Sequence, residues 1–252
     1  ASGEFLFDGA YYVNGNFSSD LFDVTYARQS RLPSFLESRY EGKQRQWSTN
    51  FDNQVSDYVK AEIKLSTSDF KIRPFLSFHR MSNYIFFNQE RQPEQASGDV
   101  VALQPGLHFE WQMFPRITWK NTVRYQTVSG GSSDNYRLPE WLGLSQISYK
   151  NVLFDGKMIL QTGIDAHFRS AYQALAYDPI IQQYHLQDDF TNDSFVKIDV
   201  FLNFKVSNFL LFLNVAHINQ GLLSENNGYF ITPFFTGTPQ TIDIGVRWMF
   251  FD

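Results

Sequence analysis

Acidic and basic side chains recur at every second residue along several stretches of this chain, each time alternating with apolar neighbours. Lys60, Glu62 and Lys64 interleave with Val59, Ala61, Ile63 and Leu65. Lys71 and Arg73 flank Ile72, and Lys120 and Arg124 share a stretch with Trp119, Val123 and Tyr125. Glu110, Lys150, Lys157, Asp165, Arg169, Lys197, Asp199, Lys205, Asp243 and Arg247 fall at equivalent positions. A period of two places all of these on one face of extended strands, with the apolar residues on the other. Counted with Glu4, Asp8 and Asp23, the charged face holds twelve basic and eight acidic groups, a net +4, while the rest of the chain sums to −9. The chemistry available to such a face is ion discrimination: fixed charge beside water favours the counter-ion, here the anion. All seventeen charges named before Glu4 are expected to line a water-filled space, although cross-strand pairing would also account for many of them.

Bond-making chemistry has weaker candidates. His167 shares a strand face with Asp165, and His217 precedes Asn219 by two residues. An Asp-His pair could serve a protease-type mechanism and a Ser-His-Asn set a phospholipase-type one. No serine is placed beside either histidine by spacing, so neither pattern points to an enzyme. Asp178, Asp188, Asp189 and Asp193 lie in one segment without a basic residue. Loop carboxylates can hold calcium, but the EF-hand spacing is absent, and solvated loop charges are the expected reading. Glycine-rich phosphate loops and Cys/His metal spacings are missing too. No cofactor and no nucleic-acid partner is expected.

The elements that position the charged face are strands. The chain has 252 residues with 5 Trp, 13 Tyr and 26 Phe, yet its mean hydropathy is −0.32. Its apolar residues are therefore dispersed; a run of about five at positions 209–213 is far short of a membrane-spanning helix. Cysteine is absent, which excludes disulfides and thiolate sites. Position 1 opens no charged start and apolar core, so no signal peptide is read here. The final stretch, 239–252, alternates Ile242, Ile244, Val246, Trp248 and Phe250 against Thr241, Asp243, Gly245, Arg247 and Met249. One wholly apolar face ending in aromatics fits a strand between lipid and water, with an aromatic girdle at the interface.

Ten further strands follow the same rule, at about 4–14, 20–28, 55–65, 70–80, 100–113, 117–127, 141–150, 157–169, 196–205 and 209–219. A bulge is expected at Pro74, which lacks a ladder donor, and Tyr84 to Phe87 are expected at the membrane edge. Short turns alternate with long loops at 29–54, 82–98, 170–193 and 220–240. That asymmetry belongs to outer-membrane barrels. No lysine or arginine is expected on the lipid face of the central strands, where it would cost roughly 2–4 kcal/mol. Eleven strands are an odd number for a single-chain barrel. Either a twelfth lies within 29–54, or the chain is the C-terminal part of a larger barrel. The polar 43–46 region favours the larger barrel, in which the strand near Glu4 pairs with polypeptide outside these residues and not with the last strand.

Several segments carry a family resemblance. They include Ser34-Phe35-Leu36-Glu37-Ser38-Arg39-Tyr40, Asn83-Tyr84-Ile85-Phe86-Phe87, Tyr125-Gln126 and Arg137-Leu138-Pro139-Glu140. Closer still are Ser170-Ala171-Tyr172-Gln173-Ala174, Tyr177-Asp178-Pro179, Gln187-Asp188-Asp189-Phe190, Asp199-Val200-Phe201-Leu202-Asn203 and Trp248-Met249-Phe250-Phe251-Asp252. From about residue 30 onward the chain resembles a porin family of Bacteroidetes-type outer membranes, whose longer members carry this pattern in their C-terminal part. The resemblance implies an antiparallel transmembrane β-barrel in the outer membrane of a Gram-negative bacterium. Lipid and the missing barrel strands would be its partners, together with proteins at the extracellular loops. Passive diffusion of small hydrophilic solutes is the implied activity, and a plugged scaffold barrel whose loops bind a partner or surface polymer is the alternative.

Overall fold

The computed structural model describes residues 2–5, 9–221 and 229–250. Twelve antiparallel strands form the path of its principal sheet in sequence order: β1 (Ser2–Phe5), β2 (Tyr11–Ser18), β3 (Phe22–Arg31), β4 (Gln54–Ile63), β5 (Phe70–Ser82), β6 (Val100–Phe114), β7 (Ile117–Tyr125), β8 (Trp141–Leu153), β9 (Met158–Arg169), β10 (Phe195–Val206), β11 (Phe209–Ala216) and β12 (Thr241–Trp248), and the short segments Leu65–Ser66 and Thr127–Ser129 extend β4 and β7 beside it. Each strand pairs with its chain neighbours, so every connection is a hairpin. A four-residue α-helix, Phe35–Ser38, and a 3₁₀ turn, Ser133–Asn135, lie in the connections.

The strand expected over 4–14 is in fact two. Phe5 lies opposite Tyr11, and Gly9 takes φ +88° between them. An odd-numbered connection returns the chain on the same phase, so the apolar period continues across the reversal and hides it. This extra strand supplies the twelfth, while the 32–53 loop folds into the helix and a small hairpin, Arg39–Glu41 with Gln46–Ser48. Asp8 and Phe251–252 lie outside the described residues. The sheet is not closed: among the described residues β1 pairs with β2 alone and β12 with β11 alone.

Pro74 does not bulge. It stays in register opposite Leu107, and its missing donor leaves a gap in the β4–β5 ladder, which runs to Glu62↔Phe75 and resumes at Leu65↔Ile72. One absent rung is tolerated because the rungs beside it hold the register. The register shift falls instead between Gln112 and Phe114.

Register sorts the side chains into two faces. On one, Leu76, Leu107, Val123, Ile147, Ile164 and Ile244 lie in the open, Ile244 at 71% exposure. Exposure on this scale would be untenable in water and is what a hydrocarbon surround requires. Aromatic clusters bound the apolar band. Phe70 stacks on Trp111 at 5.3 Å and Trp248 on Phe250 at 5.0 Å near the short turns, while Tyr125 meets Trp141 at 5.0 Å near the long loops.

The apolar face is not free of arginine, contrary to expectation. Arg28 and Arg80 both point that way, at the long-loop end. They pair with Asp57 at 3.3 Å and Asp99 at 2.6 Å, and Tyr11 and Tyr26 add hydrogen bonds to the first pair. Placement at the rim and neutralisation by a carboxylate remove most of the cost a lone charge would carry at mid-height.

Candidate functional site

The opposite face carries the charges in hydrogen-bonded rows that cross the strands. One row runs Lys71, Glu110, Lys120, Gln146, Asp165, Asp199 through β5 to β10. The next runs Arg73, His108, Thr122, Leu144, His167, Lys197, and a third Phe75, Gly106, Arg124, Leu142, Arg169, Phe195. Residues directly opposite one another stand about 5 Å apart, which brings several of the carboxylates to bases on adjacent strands. Lys71 and Lys120 share Glu110 at 3.1 and 3.6 Å. Lys60 and Arg73 share Glu62 at 3.1 and 3.5 Å, with His108 Nε2 at 4.0 Å. Lys64 binds Asp23 at 2.6 Å, and Lys197 binds Asp199 at 2.9 Å.

Four basic groups on this face, Arg124, Lys150, Lys205 and Arg247, have no carboxylate within ion-pair reach among the described residues. Lys150, Lys205 and Arg247 stand in solvent toward the short-turn end; Lys157 falls in the turn itself, beyond the strand that was expected to hold it. Asp243 pairs in register with Asn214. Arg169 sits at the long-loop end over the Tyr172 ring at 5.3 Å and donates to the Phe230 and Asp193 carbonyls, where it holds loops to the wall.

The histidines do not assemble as the spacing suggested. Asp165 accepts from Gln146 at 2.8 Å, and His167 approaches Asp199 on the next strand at 3.6 Å instead. His217 is buried, with its backbone N–H donating to Asp199 and its ring against Phe195 and Tyr229. Asn219 caps the β10 backbone at Ile198 and Val196. Both residues do structural work at the end of a strand. Among the described residues no group of three or more His, Asp and Glu could hold a metal ion.

Three inward phenylalanines lie flat on the wall. Phe75 occupies the space where Gly106 would carry a Cβ; Phe201 does the same at Gly163 and Phe212 at Gly245. Each pair is directly cross-strand. Lys60 Nζ and the Arg124 guanidinium lie 5.1 and 5.5 Å from the Phe75 ring centroid. The glycines let large rings be stored against the backbone, so that they do not project into the space the charges face.

At the long-loop end the connections 32–53, 83–99, 126–140 and 170–194, with residues 217–221 and 229–240, build a second layer with its own core. Ile85, Phe87, Ala96, Ala174, Ile181 and Leu186 are buried there. Trp47 packs edge-on to Phe87 and Tyr84 edge-on to Tyr136. The segment 84–87, expected at the membrane edge, is thus interior, and burial raises the Tyr84 hydroxyl pKa to about 12. The acidic loop is solvated only in part: Asp188 and Asp189 are exposed, as expected, but Asp178 is not. Asp178, 4% exposed, receives Arg45 at 2.6 Å and Arg91 at 3.5 Å, and Asp188 receives Arg137 at 2.8 Å and Gln89 at 2.5 Å. Burial works to raise the Asp178 pKa, but Arg45, the Ile180 N–H and Arg91 outweigh it and leave it below the ordinary carboxylate value. Arg31 clamps Glu37 through two bonds and also reaches Gln54, tying the 32–53 loop to β4. These partners are far apart in sequence and carry no local signal; the wall residues His108, Thr122 and Gln146, by contrast, follow from parity alone.

A family model described as "Putative porin" matches residues 1–252, extending the resemblance through the first thirty residues as well. No curated protein matches the chain. Among solved structures, the iron transporter FrpB of Neisseria meningitidis (F5-1 variant) aligns with a TM-score of 0.63 at 12% identity, covering 95% of this chain and 39% of that one. The copper transporter OprC gives 0.62 at 11% identity, with 95% and 39% covered. The ferric yersiniabactin uptake receptor FyuA of Yersinia pestis gives 0.59 at 10%, with 96% and 37% covered. The likeness is one of fold, and the chain spans about two fifths of the length of those structures.

Proposed function

Given that this chain belongs to the putative porin family over its whole length, we propose that its charged face lines an aqueous passage through the Gram-negative outer membrane. Small hydrophilic solutes cross it by passive diffusion, with a mild preference for anions, and the chain performs no catalysis. The observation that carries the reading is the division of the wall: one face predominantly apolar between aromatic girdles, the other a lattice in which basic groups outnumber carboxylates. Strands beyond β1 and β12 complete the barrel, because unpaired ladder groups in hydrocarbon cost several kcal/mol each. The open sheet and the larger size of the aligned barrels support this.

Planar-bilayer recording of the full-length protein tests the reading. Stepwise conductance is expected, with a reversal potential favouring chloride over potassium that shrinks toward 1 M salt as the screening length falls to about 3 Å. Cation selectivity would overturn the anion preference. A second reading, a plugged scaffold whose loops bind a partner, draws on the loop layer: Phe35 is 81% and Phe234 80% exposed there. A channel that stays silent would favour that reading over diffusion.

A further inference from the structure

The excess positive charge is not spread evenly over the wall. Strands β4 to β7 contribute Lys60, Lys64, Lys71, Arg73, Lys120 and Arg124 against Glu62 and Glu110, whereas β9 and β10 set Asp165 directly opposite Asp199. Within the first group lies a cavity lined by Lys71, Arg73, His108, Glu110, Lys120, Thr122 and Gln146. We propose that this cavity is a station for a phosphate-bearing solute, a dianion held between Lys71, Arg73 and Lys120. The proposal rests on the reading of the charged face as a solute passage and adds a saturable site to it.

Three observations support a dianion over a diffuse field. First, the cations are only partly spent on the protein's own carboxylates. Glu110 is divided between two ammonium groups that remain 60% and 51% exposed, and Glu62 is divided among Lys60, Arg73 and His108. Second, neutral donors stand among them. Thr122 Oγ1 and His108 Nδ1 are 2.9 Å apart in the row between Arg73 and Leu144, and Gln146 lies beside Lys120. Third, the wall beside it is kept low. Phe75, two residues from Arg73, is laid against Gly106, with the guanidinium of Arg124 5.5 Å from its ring centroid. A guanidinium and two ammonium groups lining one cavity suit an oxyanion that accepts several charge-assisted hydrogen bonds at once. A monovalent ion would take up only part of that set.

Equilibrium dialysis of the detergent-solubilised full-length protein against inorganic phosphate tests the station independently of conduction. Saturable binding is expected, at least tenfold tighter than for acetate. The double variant Arg73→Gln/Lys120→Gln should weaken it at least tenfold, and Glu110→Gln, which releases Lys71 and Lys120, should tighten it. Equal affinity for phosphate and acetate would overturn the proposal, as would phosphate binding that the double variant leaves unchanged. Loss of binding in Glu110→Gln with retained barrel circular dichroism would also overturn it, since a purely structural lattice would behave that way. In bilayers, phosphate should reduce the chloride current of the parent protein but not of the double variant. A conducting channel without phosphate binding removes the station and keeps the passage; phosphate binding by a silent protein does the reverse.

Discussion

The wall and the loop layer use the same pairs, arginine or lysine with a carboxylate, to different ends. In the wall Glu110 is shared in the open, between two lysines that are each more than half in solvent. In the loop layer Asp178 is shared under cover, almost fully enclosed beneath Arg45 and Arg91. An exposed pair is worth about 0–1 kcal/mol and is screened by salt, whereas removing one partner of a buried pair strands the other and costs several kcal/mol. The wall therefore keeps its charges available to the aqueous phase. The loops consume theirs in holding distant segments together.

The contrast makes its largest prediction at Asp178. Asp178→Ala leaves Arg45 enclosed without its carboxylate, and the loop layer should lose about 3 kcal/mol of local stability. Limited proteolysis should then cut within 170–194 while the strands stay protected; an uncut loop would break the comparison. A middle-sized effect is expected where the wall itself is tightly packed. Gly106→Val drives a side chain into the Phe75 ring, costing about 1–3 kcal/mol and pushing the ring toward the passage. Lower conductance with a slightly lower melting temperature would bear this out, and unchanged conductance would show that the ring's position does not matter.

Acidity separates the regions further. The Asp178 pKa lies below its unfolded value, so its contribution is fully present above about pH 4 and is lost only as pH falls through the lower folded value. Hydrogen exchange in 170–194 should be equally protected at pH 7 and pH 5 and should open only once the pH falls below the ordinary carboxylate range. Loss of protection by pH 5 would point to a different lock. The smallest effect belongs to the wall: Glu110→Gln should change stability by about 1 kcal/mol or less while raising the chloride preference, and a large loss of stability would mean that the wall pairs are structural after all.

Most of the wall was legible in the sequence. A strand between lipid and lumen must alternate, so β12 could be read from Ile242 to Trp248 and the charged positions from Lys60 to Arg247 by parity. Parity has blind spots with physical causes. It could not see the reversal at Gly9, because Phe5 and Tyr11 stay in phase across it. Nor could it tell that Arg28 and Arg80 are neutralised at the rim, since Asp57 and Asp99 reach them only through the fold. The loop layer was hidden almost entirely. Arg45 and Asp178 meet across 133 residues, and nothing in the neighbourhood of either marks the other. The sequence by itself determined which side of each strand meets lipid, because that choice is made residue by residue against the solvent. Only the tertiary structure decided which charges are shared, which are buried and which stay free, because pairing energy depends on distance and burial between segments that the chain order leaves independent.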